Sequence, residues 1–138
     1  PAQPAVAHPG ALPVELLAFA RQALDKAQSD PHLLGLLMGE YLTEPKANVW
    51  FEQQAEVAWA AASALHLDRR TRMMYDDRHV FINGEGFRVA GQDGRLLRQL
   101  ADERGLPAAA CAKFSPDARE ALLEWAAAGW LRFVKTSP

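Results

Sequence analysis

The chain has 138 residues, 49% of them hydrophobic and 23% charged, with a formal net charge of −2. That balance excludes a disordered or collagen-like polypeptide, and no apolar run approaches the ~20 residues that a membrane span requires. The single cysteine, Cys111, excludes an internal disulfide and a cysteine-based zinc site, and it fits a soluble protein of a reducing, cytoplasmic compartment.

Residues 1–11 contain three prolines and no apolar periodicity, so an extended arm is expected there. The arm has neither the basic start nor the apolar stretch of a signal peptide. A start at Pro1, without an initiator methionine, suggests a piece of a longer protein. From Pro13 the spacing predicts a helix, with Leu17, Ala20, Leu24 and Ala27 on one face and Leu16, Phe19 and Ala23 widening it. Ser29-Asp30-Pro31 stops that helix and starts the next: Asp30 caps, Pro31 takes the first helical position, and Leu33, Leu34, Leu37, Met38 and Tyr41 form an apolar face. The two helices should form an antiparallel pair with more apolar surface than they can cover themselves. A homodimer contact through Leu33, Leu37 and Met38 is expected, with burial inside the protomer as the competing reading.

Pro45 breaks the helical pattern, and Trp50-Phe51 is expected to anchor the following loop by packing on the helices. Glu52–Ala64 reads as a further helix, with Ala55, Ala58, Ala62 and Leu65 near one face and Trp59 adjacent. Leu65, Leu67, Thr71, Met73 and Tyr75 then alternate, and Asp76-Asp77-Arg78 suits a turn into His79–Val89. There Val80, Phe81 and Ile82 precede Asn83-Gly84, the pair that accepts positive φ at both central positions of a type I′ turn, and Phe87-Arg88-Val89 returns. A meander of two or three antiparallel strands is expected. Asp93–Arg104 is an amphipathic helix with Leu96, Leu97, Leu100 and Ala101 inward, and Gly105 is placed at its end. A short helix follows Pro107, and Ser115-Pro116 caps a last helix that buries Ala118, Ala121, Leu122 and Trp125. Gly129 stops it, and Trp130–Val134 reads as a closing strand. The class is α+β and mostly helical, with a helical dimerisation segment over 12–64 and a winged-helix-like domain with a small antiparallel sheet over 65–138.

Three chemistries can be weighed from the residues. His66-Leu67-Asp68 is an H-x-D triplet, two ligands of the facial triad of iron(II) oxygenases. No barrel can be built around it, because the later histidine, His79, falls in an adjoining strand, so an autonomous iron enzyme using His66 and Asp68 is the weakest reading. No catalytic, metal or cofactor-binding residue is assigned to this chain, and Cys111 has no neighbouring His to activate it. Nucleic-acid binding is the alternative that a winged helix invites. Residues 1–68 hold three bases against eight acids, and residues 69–138 hold twelve against nine. The last helix sets Arg119 against Asp117, Glu120 and Glu124, a sign that phosphate repels, whereas Arg69, Arg70, Arg72 and Arg78 keep a regulator that binds nucleic acid open.

Several stretches together resemble one family. GEYLTEPKANVWF over 39–51, the run from Thr71 through Asp102, and LLEWAAAGWLRFV over 122–134 resemble the region after the barrel in bacterial JmjC/cupin-type ribosomal oxygenases. The most specific elements are Leu42–Lys46 with Val49-Trp50-Phe51, Ile82–Glu85 and Gly129-Trp130-Leu131. The resemblance implies a parent hydroxylase that uses iron(II) and 2-oxoglutarate on an arginine of a large-subunit ribosomal protein. It implies a catalytic barrel, a helical dimerisation region and a C-terminal winged helix, of which only the last two correspond to this chain. The metal-binding motif of such enzymes belongs to the barrel, so His66 and Asp68 inherit no ligand role from it.

Overall fold

A computed structural model describes residues 14–136. In chain order they form α1 (Val14–Ser29), α2 (Pro31–Thr43), β1 (Ser63–Leu67), β2 (Met73–Tyr75), β3 (His79–Ile82), β4 (Glu85–Arg88), α3 (Gly91–Glu103), β5 (Gly105–Leu106), α4 (Ala108–Cys111), α5 (Pro116–Ala127) and β6 (Leu131–Lys135). The class is α+β, as the residue pattern predicts. The arm expected over 1–11 lies outside the described residues. No helix among the described residues is long and apolar enough to cross a membrane.

Two compact units part between Gly35 and Leu36. In the first, α1 ends where Asp30 intervenes. The Asp30 carboxylate accepts from the His32 N–H at 3.0 Å, which satisfies one of the donors that a helix start leaves free.

The second unit holds two three-stranded sheets, ordered β5-β1-β6 and β2-β3-β4, with antiparallel pairing throughout. The alternating stretch 65–75 is therefore not one arm of a single meander. It breaks at Asp68–Thr71, where the Thr71 N–H donates to the Asp68 carbonyl, and β1 and β2 enter different sheets. The β3–β4 hairpin forms where expected: Asn83 (φ 46°) and Gly84 (φ 91°) both take positive φ, as a type I′ turn requires. Asp76 makes the preceding turn, its carboxylate accepting from the backbone N–H groups of Arg78 and His79.

The predicted helix over 52–64 does not form. Residues 52–60 have no regular structure, a turn follows at 61–62, and β1 starts at Ser63. Burial of two residues explains this better than local propensity does. Val57 and Trp59 pack on the core, with the Trp59 ring edge-on to Phe133 at 5.2 Å and to Phe114 at 6.5 Å. The Gln54 N–H is taken by the Ala127 carbonyl. Gly129, at φ 85°, lies so close to the Glu52 backbone that no Cβ fits between them.

α3, α4, α5 and β6 then follow nearly as read. The left-handed residue that closes α3 is Arg104 (φ 65°) and not Gly105, which forms β5 beside Leu65 and His66. Arg104 is held in that conformation by its own side chain, which donates to the Thr71 and Asp68 carbonyls. Ser115 caps α5 by accepting from the Ala118 N–H, and it donates in turn to Asp93 on α3. The core joins both sheets to α3 and α5, with Leu65, Val80, Ile82, Leu100 and Leu122 fully buried.

Candidate functional site

The second half of α2 is seated on the hairpin, and three glycines make room for it. Gly39 faces the Phe81 ring too closely to accept a side chain. Gly86 lies under Leu36 and Glu40, both about 3 Å from where its Cβ would stand (2.9 and 3.0 Å). Gly84, in the turn, abuts Glu44. Thr43 locks the contact: its hydroxyl, fully buried, donates to the Gly39 carbonyl at 2.8 Å and accepts from the Gly84 N–H at 2.9 Å. Sequence reasoning gave Gly39, Thr43 and Gly86 no role in packing α2 on the hairpin. The available signal was a glycine inside a helical pattern and another inside a strand, each a mark of close backbone approach.

Of the three residues expected at a dimer contact, Met38 is 46% exposed, whereas Leu33 and Leu37 are half-buried. Leu34, Tyr41 and Leu42 are exposed as well, so α2 presents apolar side chains at helical spacing to solvent. On α1, Leu16, Leu17, Phe19 and Leu24 are each at least 49% exposed.

The corner after β1 is built from ion pairing. Asp68 accepts from Arg70 Nε at 2.9 Å, from Nη2 at 3.1 Å and from the Arg70 N–H at 2.9 Å. These bonds hold its carboxyl below the ordinary carboxylate value, against a partial burial that works the other way. Arg70 also donates to the Trp50 carbonyl and covers the Phe51 ring. Phe51 meets Trp130 edge-on at 6.5 Å, so it packs on the second unit, and Trp50 stays 78% exposed instead of anchoring the loop. A metal site does not fit here: the Asp68 carboxylate is engaged by Arg70, His66 is exposed on β1, and the described residues offer no group of three metal ligands around them.

The features a groove-reading winged helix needs are also rearranged. α5 exposes Asp117, Glu120 and Glu124, while the Arg119 guanidinium lies over Trp59 at 4.9 Å and donates to the Ala112 carbonyl. The central strand of the first sheet, β1, comes from before α3. Of the arginines that kept nucleic acid open, Arg70 is engaged by Asp68 and the Trp50 carbonyl, and Arg69, Arg72 and Arg78 remain exposed.

Two clefts open on the second unit. One, of about 470 Å³, runs between residues 52–60 and β6, with Asp68 and Arg70 at one end. The other, of about 380 Å³, lies between β4 and α5 over Trp125, whose ring is 5.5 Å from Phe87.

Helix, strand, short helix, helix and strand around a three-stranded sheet define a winged-helix-type domain, here with an added hairpin sheet. The chain belongs to the ROXA-like winged-helix family, whose model matches residues 25–132. No curated protein matches it. Among solved structures, YcfD of Escherichia coli is similar in fold, with a TM-score of 0.67 at 17% identity over 96% of this chain and 38% of that one. The same protein, described as a ribosomal oxygenase, aligns at 18% identity with a TM-score of 0.67, and its complex with cobalt and 2-oxoglutarate at 18% with a TM-score of 0.66. At that identity the likeness establishes the fold. The chain spans about two fifths of the YcfD length (38–39%).

Proposed function

We propose that this chain is the non-catalytic part of an iron(II)- and 2-oxoglutarate-dependent hydroxylase that modifies a ribosomal protein in the cytoplasm. Helices α1 and α2, the helical part of the region expected over 12–64, supply a dimerisation segment, and the chain that follows supplies the winged helix expected over 65–138. The observation that carries this reading is one of coverage. Nearly all of this chain (96%) overlays on a ribosomal oxygenase solved with 2-oxoglutarate, yet it accounts for only 39% of that protein. Iron and 2-oxoglutarate belong, on this reading, to a barrel outside the chain, and Asp68 keeps its structural bond to Arg70.

The homodimer contact is assigned to Leu33, Leu37 and Met38, and the exposure of Leu34 and Tyr41 extends the same stripe. A charged α5 of the wrong sign argues against nucleic acid as the partner. The coding sequence upstream of Pro1 tests the parentage: it should specify a barrel with an H-x-D motif and a distal histidine, and a stop codon or an unrelated domain there overturns the reading. Sedimentation equilibrium tests the helical segment. A dimer that Leu34→Asp with Met38→Asp converts to monomer is expected, and a strict monomer in the unaltered chain removes the interface.

A further inference from the structure

β6 is the outer strand of its sheet, and its register fixes which backbone groups face outward. The Asp68 N–H donates to the Trp130 carbonyl, in line with the pairing of His66 with Arg132 and Ala64 with Val134. In an antiparallel ladder every second residue bonds to its neighbour strand, so Arg132 and Val134 point their N–H and C=O groups at β1, and Leu131, Phe133 and Lys135 point theirs away. Among the described residues nothing bonds to Leu131, Phe133 or Lys135 from that side. Residues 52–60 run past this edge without pairing to it, and the 470 Å³ cleft lies between them.

We propose that the outer edge of β6 is a docking site for an extended peptide bearing lysine or arginine, added as a fourth strand. Three features select this occupant. A row of free N–H and C=O groups spaced two residues apart is complemented only by another extended backbone. The flank of the cleft is apolar where a strand's inward side chains would rest, at Val57, Ala58 and Leu131. Its charge is acidic once internal pairing is discounted. Asp68 and Arg70 neutralise each other at 2.9 Å, which leaves Glu52 and Glu56, neither in a salt bridge, against Arg132 alone. Lys135, at the far end of the edge, is exposed and disfavours a second copy of β6, because antiparallel self-pairing brings cationic Arg132 and Lys135 of both strands into one ribbon.

The test uses this chain, labelled with ¹⁵N, and a seven-residue peptide of alternating valine and lysine. Titration should shift the amides of Leu131, Phe133 and Lys135 and leave those of α3 in place. Lys135→Pro removes an outward N–H at an edge position where proline is tolerated, and it should weaken binding by roughly tenfold. That variant also removes a positive charge, so an association driven by charge alone would strengthen instead. Glu52→Gln with Glu56→Gln should weaken binding by about threefold. If Lys135→Pro does not fold, the same peptide N-methylated at alternate residues, titrated into the unaltered chain, must fail to bind. Binding undiminished by Lys135→Pro, binding that survives N-methylation, shifts confined to other strands, no binding at millimolar peptide, or concentration-dependent shifts of the β6 amides without peptide would each overturn the proposal.

Discussion

Replacing Thr43 by valine keeps the shape of the side chain and removes its hydroxyl, which isolates the bond between α2 and the hairpin turn. The hydroxyl is fully buried and bonds in two directions, to the Gly39 carbonyl and from the Gly84 N–H. The two losses differ in weight. Gly39's carbonyl sits in a helix and keeps its backbone partner, so its share is small. The Gly84 N–H sits in a turn closed over by Glu44, and no other acceptor is bonded to it. Leaving such a donor unsatisfied costs about 1–3 kcal/mol. For a chain of this size, about 2 kcal/mol corresponds to a fall in Tm of roughly 6–8 °C. Thr43→Ser keeps both bonds and loses one methyl, about 1 kcal/mol. Urea unfolding and calorimetry of the three proteins give the comparison. A Thr43→Val protein within about 0.5 kcal/mol of the parent, or less affected than Thr43→Ser, would refute the assignment of Thr43 as the lock.

Gly39→Ala should destabilise the second unit by about 1–3 kcal/mol despite alanine's better helix propensity, because the new methyl meets the Phe81 ring; urea midpoints report it. Asp68→Asn should cost on the order of 1 kcal/mol near neutral pH, discounted for the exposure of the pair. The folded Asp68 carboxyl is held below its ordinary value, so its contribution is present above the unfolded carboxylate range and is lost as pH falls through the folded value. Stability of the parent and of Asp68→Asn should therefore differ at about pH 7 and draw together as the pH falls through the folded value of Asp68. Cys111 is buried, its thiol pushed up by that burial and directed at the Leu106 carbonyl, so a thiol reagent should modify it only at the rate of unfolding; fast labelling of the native chain would contradict its placement.

Elements with their own local chemistry were legible in the sequence. Asn83-Gly84 defines its turn from two residues, and Ser115-Pro116 its helix start from two more, with Asp93 adding a bond that no local rule foresees. Residues 52–60 failed for the opposite reason. Their alanines satisfy a helical period cheaply, but Val57 and Trp59 are needed by a core more than fifty residues downstream, at Phe114 and Phe133. The division of 65–75 between two sheets was equally hidden, because alternation announces a strand and says nothing of its partner. At the candidate site, the apolar stripe of α2 could be read from spacing. That Leu36, Gly39 and Thr43 face the hairpin instead was decided by glycines at positions 84 and 86, out of reach of any periodicity within the helix.

The placement of β1 between β5 and β6 also governs the order of events in folding. The β2-β3-β4 meander closes within a short run of chain and can form on the microsecond scale of a hairpin. β1 must instead wait for partners in β6 that lie 64 to 72 residues further on, the kind of long loop closure that slows folding. Until it arrives, β5 and β6 each expose a second bare edge, so refolding yield should fall steeply with protein concentration. The sheet that gives the domain its identity is therefore expected to be the last part of it to assemble.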